Sequence, residues 1–329
     1  MRLSLRRVAA AALVLAGASL LTGGMLEELA RRDARQQFPV QGRLVDIGGR
    51  RLQLDCRGSG SPTVIFEAGL DMLGSLSWAA VHDSVARTTR ACAYSRAGIM
   101  WSDASPIPFS GAQVARDLRA ALAGAGETGP FVMVGHSLGG PYAMQFSALY
   151  ASEVSGVVLV DASHPDQVAQ LEQATGKRMT PPAGPLVFGA AIARTGVTRL
   201  LTRDVAPARA SDRVREMSAA YAATSLAALA RETAAVRNSL TETPRDLGSR
   251  PLIVLAAAAE MGPAELARQG MTPEQGKAFR TAWAKLQEDE RTWSRRGQLV
   301  SVPDATHSIQ VDRPDVVIAA VRNVVRAVR

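Results

Sequence analysis

Histidine and cysteine are scarce in this chain, and their spacing argues against the common metal sites. The 329 residues contain four histidines and two cysteines. No H-E-x-x-H segment and no paired C-x-x-C occurs, and the histidines are dispersed along the sequence. We therefore expect no metal site and no cofactor.

Aromatic residues are also few, at 5% of the chain. The net charge of +8 comes almost entirely from arginines that alternate with acidic residues. A nucleic-acid-binding surface needs a basic face interleaved with aromatic side chains. The sequence therefore argues against nucleic acid as a partner. The hydrophobic content of 47% instead predicts one large α/β core with an inserted subdomain.

The N-terminus has the pattern of an export signal. Arginines within the first seven residues precede an apolar stretch from Val8 to Leu26, which is long enough to span a bilayer. Ala16-Gly17-Ala18 could serve as the cleavage site of a signal peptide, but the apolar stretch continues beyond it, which favours an uncleaved signal anchor over residues 1–26. The alternative is a packed helix whose all-round apolar surface would need a cover. We expect a membrane-anchored protein with its main domain outside the cytoplasm, or a secreted or periplasmic one.

Beyond residue 40, strand and helix patterns alternate. Gly48-Gly49 between two short runs indicates a hairpin. The predicted strands are Gly42–Ile47, Arg51–Cys56, Thr63–Glu67, Ala91–Tyr94, Pro130–Val134, Gly156–Asp161, Pro251–Leu255 and Gln298–Val302, and the predicted helices include Ser77–Ala86, Gly111–Ala125 and Asp315–Val328. This alternation predicts an α/β fold with a mostly parallel, doubly wound sheet.

The stretch from residue 165 to 248 interrupts that alternation. It is rich in alanine and arginine and contains no convincing strand. We interpret it as a helical lid inserted at the carboxyl edge of the sheet, between core segments 40–164 and 249–329. The apolar residues that could form a loop facing a pocket, or simply pack between helices, are Met179, Pro181, Pro182, Pro185, Leu186 and Phe188.

One glycine-rich motif is a decoy. Residues 124–129 match G-x-G-x-x-G, the pattern of a phosphate-binding loop. The motif precedes a predicted strand instead of following one, and it opens no helix. We interpret it as a connection between a helix and a strand.

The most informative motif is Gly135-His136-Ser137-Leu138-Gly139-Gly140, which lies between an apolar run and a helix that starts near Pro141. A strand, a sharp turn and a helix in this order lift a serine hydroxyl above the sheet edge. The serine of such a turn has a positive φ, so the residues two before and two after it must lack side chains, and both are glycine. The motif predicts that Ser137 is a nucleophile.

A serine nucleophile needs an imidazole as base and a carboxylate to orient that imidazole. His136 lies inside the turn and should point away from the partner of the nucleophile, while His82 falls in an early helix. His164 is expected in a solvated loop. His307 lies between the last strand and the last helix, at the same sheet edge as Ser137. We therefore predict His307 as the general base.

Taken together, the turn around Ser137, the loop His307–Pro314 and the segment Phe66–Leu70 resemble the α/β-hydrolase superfamily. The segments Gly42–Gly49, Ala93–Gly98 and Leu159–Gln167 are similar to bacterial esterase-like members that carry an N-terminal membrane segment. The resemblance covers most of the chain outside the N-terminus and the lid. It implies an α/β-hydrolase fold, a serine hydrolase that cleaves carboxylic esters, and no cofactor.

The resemblance also implies the oxyanion hole. Its donors would be the backbone N–H groups of Leu70 and Leu138. Glu67-Ala68-Gly69 replaces the commoner His-Gly pair of the superfamily. Because the donor is a backbone group, this departure should matter little.

Two carboxylates are candidates for the triad acid. Asp161 ends the strand that follows the helix after Ser137. This position is similar to that of the triad acid in pancreatic-type lipases. Glu260 follows the next strand, where most of the superfamily keeps its acid, but Ala256–Ala259 lacks the usual glycine turn. We favour Asp161 and keep Glu260 as the alternative.

Cys56 and Cys92 lie at the ends of the second and fourth predicted strands. In the superfamily these strands are antiparallel neighbours, so the resemblance implies a disulfide, which fits an oxidising compartment. Two free thiols are the alternative.

The expected substrate is a small hydrophobic ester. Thioesterase, amidase and cofactor-free perhydrolase chemistry are alternatives, as is a non-catalytic binding or signalling module on the same fold. Serine at the nucleophile position argues against haloalkane dehalogenase and epoxide hydrolase chemistry, which in this superfamily uses aspartate.

Overall fold

The structure, a computed structural model, describes residues 5–179, 183–197 and 210–329. The strands within these ranges are β1 (Arg43–Asp46), β2 (Arg51–Arg57), β3 (Thr63–Glu67), β4 (Ala91–Ser95), β5 (Phe131–His136), β6 (Val154–Val160), β7 (Pro251–Ala257) and β8 (Arg296–Val302). They form one sheet in the order β1-β2-β4-β3-β5-β6-β7-β8. The pairs β1–β2 and β2–β4 are antiparallel, and all other neighbours are parallel. The predicted mostly parallel sheet is confirmed.

Helices connect the strands. They are α1 (Leu5–Gln37), α2 (His82–Ala86), α3 (Gly111–Gly124), α4 (Gly139–Leu149), α5 (Gln167–Thr175), α6 (Ala183–Ile192), α7 (Asp212–Thr241), α8 (Pro263–Gln269), α9 (Pro273–Arg291), α10 (Ile309–Asp312) and α11 (Pro314–Ala327), with 3₁₀ turns at Gly74–Trp78 and Ala193–Thr195. The predicted helix over Ser77–Ala86 is split into a 3₁₀ turn and α2. Helices α8 and α9 were not predicted. The decoy motif at residues 124–129 lies between α3 and β5, as expected.

The core lies on both faces of the sheet. Along β3, Val64 and Phe66 belong to one apolar cluster and Ile65 to the other, because successive side chains of a strand point to opposite faces. The first cluster continues into α2 and α11, and the second into α3 and α4. Each such fully buried apolar side chain contributes about 1.5–3 kcal/mol. Burial on both faces explains why the central strands are continuous apolar runs.

The β1–β2 hairpin and its neighbour β4 carry two predicted features. Gly48 and Gly49 have φ angles of 94° and 86°, and the Asp46 side chain accepts hydrogen bonds from both of their N–H groups. Cys56 of β2 lies directly opposite Cys92 of β4, and the two form a disulfide. The hairpin and the disulfide are confirmed, and the alternative of two free thiols is excluded.

Helix α1 continues well beyond the apolar stretch and docks on the protein through its C-terminal part. Ala34 and Phe38 pack in one cluster with Met217 and Tyr221 of α7. The Tyr221 hydroxyl donates a hydrogen bond of 3.0 Å to the carbonyl of Phe38. None of the helices in the described ranges is long and apolar enough to cross a membrane. The predicted signal anchor over residues 1–26 is therefore not supported.

The stretch predicted as a lid contains α5, α6 and α7, and its described residues form no strand. Pro181 and Pro182 lie outside the described residues. Pro185, Leu186 and Phe188 belong to α6 instead of the expected loop, and Phe188 is 67% exposed. A role of this stretch as a lid stays a prediction.

Candidate active site

The candidate site lies at the carboxyl edge of the sheet. Strands β3, β5 and β6 are consecutive neighbours, and the chain leaves them toward Leu70, Ser137 and Asp161 respectively. The chain leaves β8 toward His307 at the same edge. Because the carboxyl ends of parallel strands meet at one edge, residues distant in sequence come together there.

Ser137 occupies the turn between β5 and α4 with a φ of 51°. A Cβ atom on Gly135 would lie 2.5 Å from the carbonyl oxygen of Gly139, and one on Gly139 would lie 2.3 Å from the carbonyl oxygen of Glu67. Both distances are too short for any side chain. The two glycines therefore allow the strained turn that the motif predicted.

Three side chains form a continuous hydrogen-bonded relay. The Ser137 Oγ lies 2.9 Å from Nε2 of His307, and Nδ1 of His307 lies 2.6 Å from Oδ2 of Asp161. The His307 side chain is 45% exposed, whereas that of Asp161 is 1% exposed. The relay thus has a buried carboxylate at one end and an accessible hydroxyl at the other.

Asp161 is held on both carboxylate oxygens. Its Oδ1 accepts hydrogen bonds of 2.9 Å from the N–H of Ala257 and from the indole N–H of Trp283. Its Oδ2 faces His307. Of the two acids that the sequence proposed, the structure brings Asp161 to the histidine, while Glu260 is exposed.

The sequence analysis missed Trp283, because this residue lies on α9, far from any catalytic motif. We expect Trp283→Phe to lower kcat about tenfold, since a hydrogen bond to a charged group contributes about 1.5–3 kcal/mol and a tenfold rate change needs about 1.4 kcal/mol. The measurement is steady-state ester hydrolysis. Trp293→Phe is the matched control, because the buried indole of Trp293 donates to Asp289 instead. Equal kcat values for the two variants would contradict a role of Trp283 in orienting Asp161.

His136 does not point away from the relay, contrary to expectation. Its Nε2 lies 2.9 Å from the backbone carbonyl oxygen of His307 and must donate the hydrogen bond, because a carbonyl can only accept. Burial, reinforced by the nearby His307, lowers the pKa of His136 from 6.5 to about 3. A neutral His136 therefore holds the backbone of the histidine loop in place.

This low pKa predicts acid sensitivity. Above pH 6.5 His136 is neutral in both the folded and the unfolded state, so it adds no pH dependence. Below pH 6.5 the unfolded state binds a proton that the folded state rejects until about pH 3, so the free energy of unfolding falls as the pH falls. We expect wild type to lose about 2 kcal/mol more than His136→Gln between pH 6.5 and 4.5 in urea denaturation. Parallel pH profiles of the two proteins would contradict this assignment.

The other two histidines are structural. His82 is buried, and its Nε2 lies 2.9 Å from the carbonyl of Ala91. His164 is 1% exposed and contacts Asp289, so the expected solvated loop position is wrong. Its Nε2 lies 2.9 Å from Oδ2 of Asp289 on α9, and its ring contacts that of Trp293, just after this unpredicted helix. The structure therefore offers His307 alone of the four to Ser137.

A cavity of about 610 Å³ opens beside Ser137 and His307. About half of its lining residues are apolar, namely Leu70, Leu73, Leu76, Ala79, Ala80, Ala210, Val214 and Val311. Polar side chains beside them include Asp71, Ser77 and Gln310. Leu70 lines the same cavity as Ser137, and Leu138 follows Ser137 directly in the chain. Within the described part of the chain, neither backbone N–H has a hydrogen-bond acceptor. Two free donors beside a nucleophile can bind an oxyanion. The lining suits a small organic molecule.

Comparisons with known proteins place this site in context. A vacuolar membrane protein of Saccharomyces cerevisiae is 38% identical over 106 residues, which are 31% of this chain and 16% of that protein. The chain spans only 14% to 18% of the length of four curated relatives that it matches.

Solved structures share the fold. An esterase from Thermogutta terrifontis superposes with a TM-score of 0.58 at 22% identity, covering 88% of this chain and 99% of that one. The epoxide hydrolase CorEH superposes with a TM-score of 0.61 at 16% identity, covering 87% of this chain and 99% of that one. The fold is thus common to proteins of different chemistry. Residues 54–320 match the alpha/beta hydrolase family, and because this match covers most of the sequence, the chain belongs to that family.

Proposed function

We propose that the protein is a serine hydrolase that cleaves carboxylic esters through an acyl-enzyme on Ser137. The observation that carries the proposal is the relay from Ser137 through His307 to Asp161, with donor distances of 2.9 Å and 2.6 Å. Epoxide hydrolases and haloalkane dehalogenases of this superfamily use an aspartate nucleophile, and serine occupies that position here. The family match alone supports hydrolysis, and the serine relay supports ester cleavage.

The reaction would begin with His307. Its Nε2 removes the proton from the Ser137 hydroxyl while the serine oxygen attacks the acyl carbon. The Asp161 carboxylate accepts a hydrogen bond from Nδ1–H of His307 and stabilises the imidazolium that forms. The N–H groups of Leu70 and Leu138 stabilise the oxyanion. His307 then protonates the departing alcohol. A water molecule, deprotonated by His307, attacks the acyl-enzyme, and His307 then returns this proton to the Ser137 oxygen as the acid leaves.

The proposed substrate is a small hydrophobic ester. The cavity of about 610 Å³ supports this size, and its apolar side chains, among them Leu70, Leu73 and Leu76, support a hydrophobic group on the ester. The stretch 165–248 is proposed as the lid of this cavity, since Ala210, Ser211 and Val214 line it. Turnover of p-nitrophenyl esters from acetate to dodecanoate should therefore be highest at short to medium chains.

The proposed location of the catalytic domain is an oxidising compartment. The Cys56–Cys92 disulfide supports this, because such bonds persist mainly outside the cytosol. The yeast relative described as a vacuolar membrane protein shares only part of the chain.

The deciding experiment is labelling with a fluorophosphonate probe, which reacts only with an activated serine. We expect a single labelled peptide that contains Ser137, with Ser137→Ala as the blank. Failure of folded wild-type protein to react would favour the non-catalytic binding module. Faster turnover of thioesters or anilides than of matched oxygen esters would instead favour a thioesterase or an amidase.

A further inference from the structure

Arg96 is a buried cation that the proposed chemistry does not use. It follows β4 directly, and its side chain is 5% exposed. Burying a guanidinium is costly unless every donor is matched. Here Nη1 donates to the Glu67 carboxylate at 2.9 Å and to the carbonyl of Ala68 at 2.7 Å, and Nη2 donates to the carbonyl of Gly69 at 2.5 Å and to the Glu232 carboxylate at 2.7 Å. The guanidinium thus contacts two consecutive carbonyls of the loop after β3.

These carbonyl contacts fix the direction of the Leu70 N–H. The carbonyl of Gly69 and the N–H of Leu70 belong to one planar trans peptide, in which the two groups point in opposite directions. A guanidinium that holds the carbonyl on one side therefore aims the N–H to the other. The same contact polarises the peptide and strengthens the N–H as a donor.

The loop needs an external anchor. A Cβ atom on Gly69 would lie 3.0 Å from Nδ1 of His136 and 3.1 Å from Cβ of Ser137, so a side chain here would press on both residues, and glycine fits without a shift. Glycine is the residue least restricted in φ and ψ. Arg96 supplies the constraint that the glycine cannot.

The second carboxylate of the cluster comes from the long helix α7. Glu232 is 1% exposed, and the Tyr142 hydroxyl also donates to it at 3.2 Å. Burial raises the pKa of Glu67 to about 7, while Arg96 and the Tyr94 hydroxyl act in the opposite direction. One cation between two buried carboxyls connects α7 to the loop that carries the Leu70 N–H.

We propose that Arg96 is a positioning residue that orients the Leu70 N–H toward the oxyanion, and that Glu232 couples the docking of α7 to this orientation. The inference rests on the proposed serine hydrolase function. A purely structural ion pair would contribute to stability and leave the acyl-transfer step unchanged.

The test compares Arg96→Lys and Glu232→Gln with Arg50→Lys, which alters a partly buried ion pair with Asp117 away from the cavity. The readouts are kcat and KM for p-nitrophenyl acetate and the dissociation constant of a trifluoromethyl ketone, which forms a tetrahedral oxyanion adduct on serine. Losing an oxyanion donor lowers kcat about 100- to 1000-fold, and misdirecting one should cost less.

For Arg96→Lys we expect kcat to fall about 10- to 100-fold, ketone affinity to fall by the same factor, and KM to stay within about threefold. Glu232→Gln keeps the size of the side chain and should lower kcat about fivefold. This variant tests the inference if Arg96→Lys does not fold. If the wild type turns over the ester and both variants have the kcat and the ketone affinity of Arg50→Lys, the inference about Arg96 is wrong and the proposed function stands. No turnover by wild type would overturn the proposed function and the inference with it.

Discussion

Ser137→Ala is expected to lower kcat for ester hydrolysis by about 10⁶-fold, to the level of the residual catalysis that binding and the oxyanion hole provide. The hydroxyl is the group that His307 contacts at the open end of the relay. Without it no acyl-enzyme forms, and His307 has no proton to remove. KM should change little, because the missing oxygen contributes mainly to the bond that forms in the transition state.

The measurement is steady-state hydrolysis of p-nitrophenyl acetate with enough protein to detect slow turnover. Ser147→Ala is the matched control, since this buried serine of α4 donates only to the backbone carbonyl of Ala143. It should keep kcat within about twofold of wild type. Activity of Ser137→Ala above about 1% of wild type would place the nucleophile elsewhere.

Most strands of the sheet could be predicted from short stretches of sequence, because the central strands are buried on both faces and are therefore continuous apolar runs. A run such as Val157–Val160, short, apolar and rich in β-branched valine, is typical of an interior strand, and the structure buries all four residues. The surface helix α9 is different. Its apolar residues, among them Trp283 and Leu286, are spaced between many charges. The signal that could have identified it is the capping box of Thr272 and Gln275, with Pro273 in the first turn. At the N-terminus, composition alone likewise does not show that the helix continues to Gln37 and that Ala34 packs on α7.

The candidate site was predictable where a residue's chemistry and its strand-end position coincide. Ser137, His307 and Asp161 each follow a strand, so topology alone brings them to one edge. The supporting groups lack that signal. Arg96 and Trp283 act through contacts between segments 27 and 122 residues apart, which depend on the packing of helices and loops and not on spacing.

The choice between the two acids gives the second large expected effect. Asp161→Asn should lower kcat about 10⁴-fold, whereas Glu260→Gln should stay within about twofold of wild type. Glu260 is exposed and serves as the matched control for the loss of a carboxylate. A result in which Glu260→Gln is the inactive variant would reverse the assignment.

The size of the Asp161→Asn effect follows from the hydrogen bonds around this side chain. Ala257 N–H and Trp283 N–H both donate to Oδ1, so that position must keep an acceptor, and the amide oxygen of asparagine would occupy it. The amide NH₂ would then face Nδ1 of His307, where Oδ2 now lies. Because the NH₂ can only donate there, Nδ1 must lose its proton and Nε2 must carry one. A protonated Nε2 cannot accept the Ser137 proton, so the variant would retain its fold and its cavity while holding the base in the wrong tautomer.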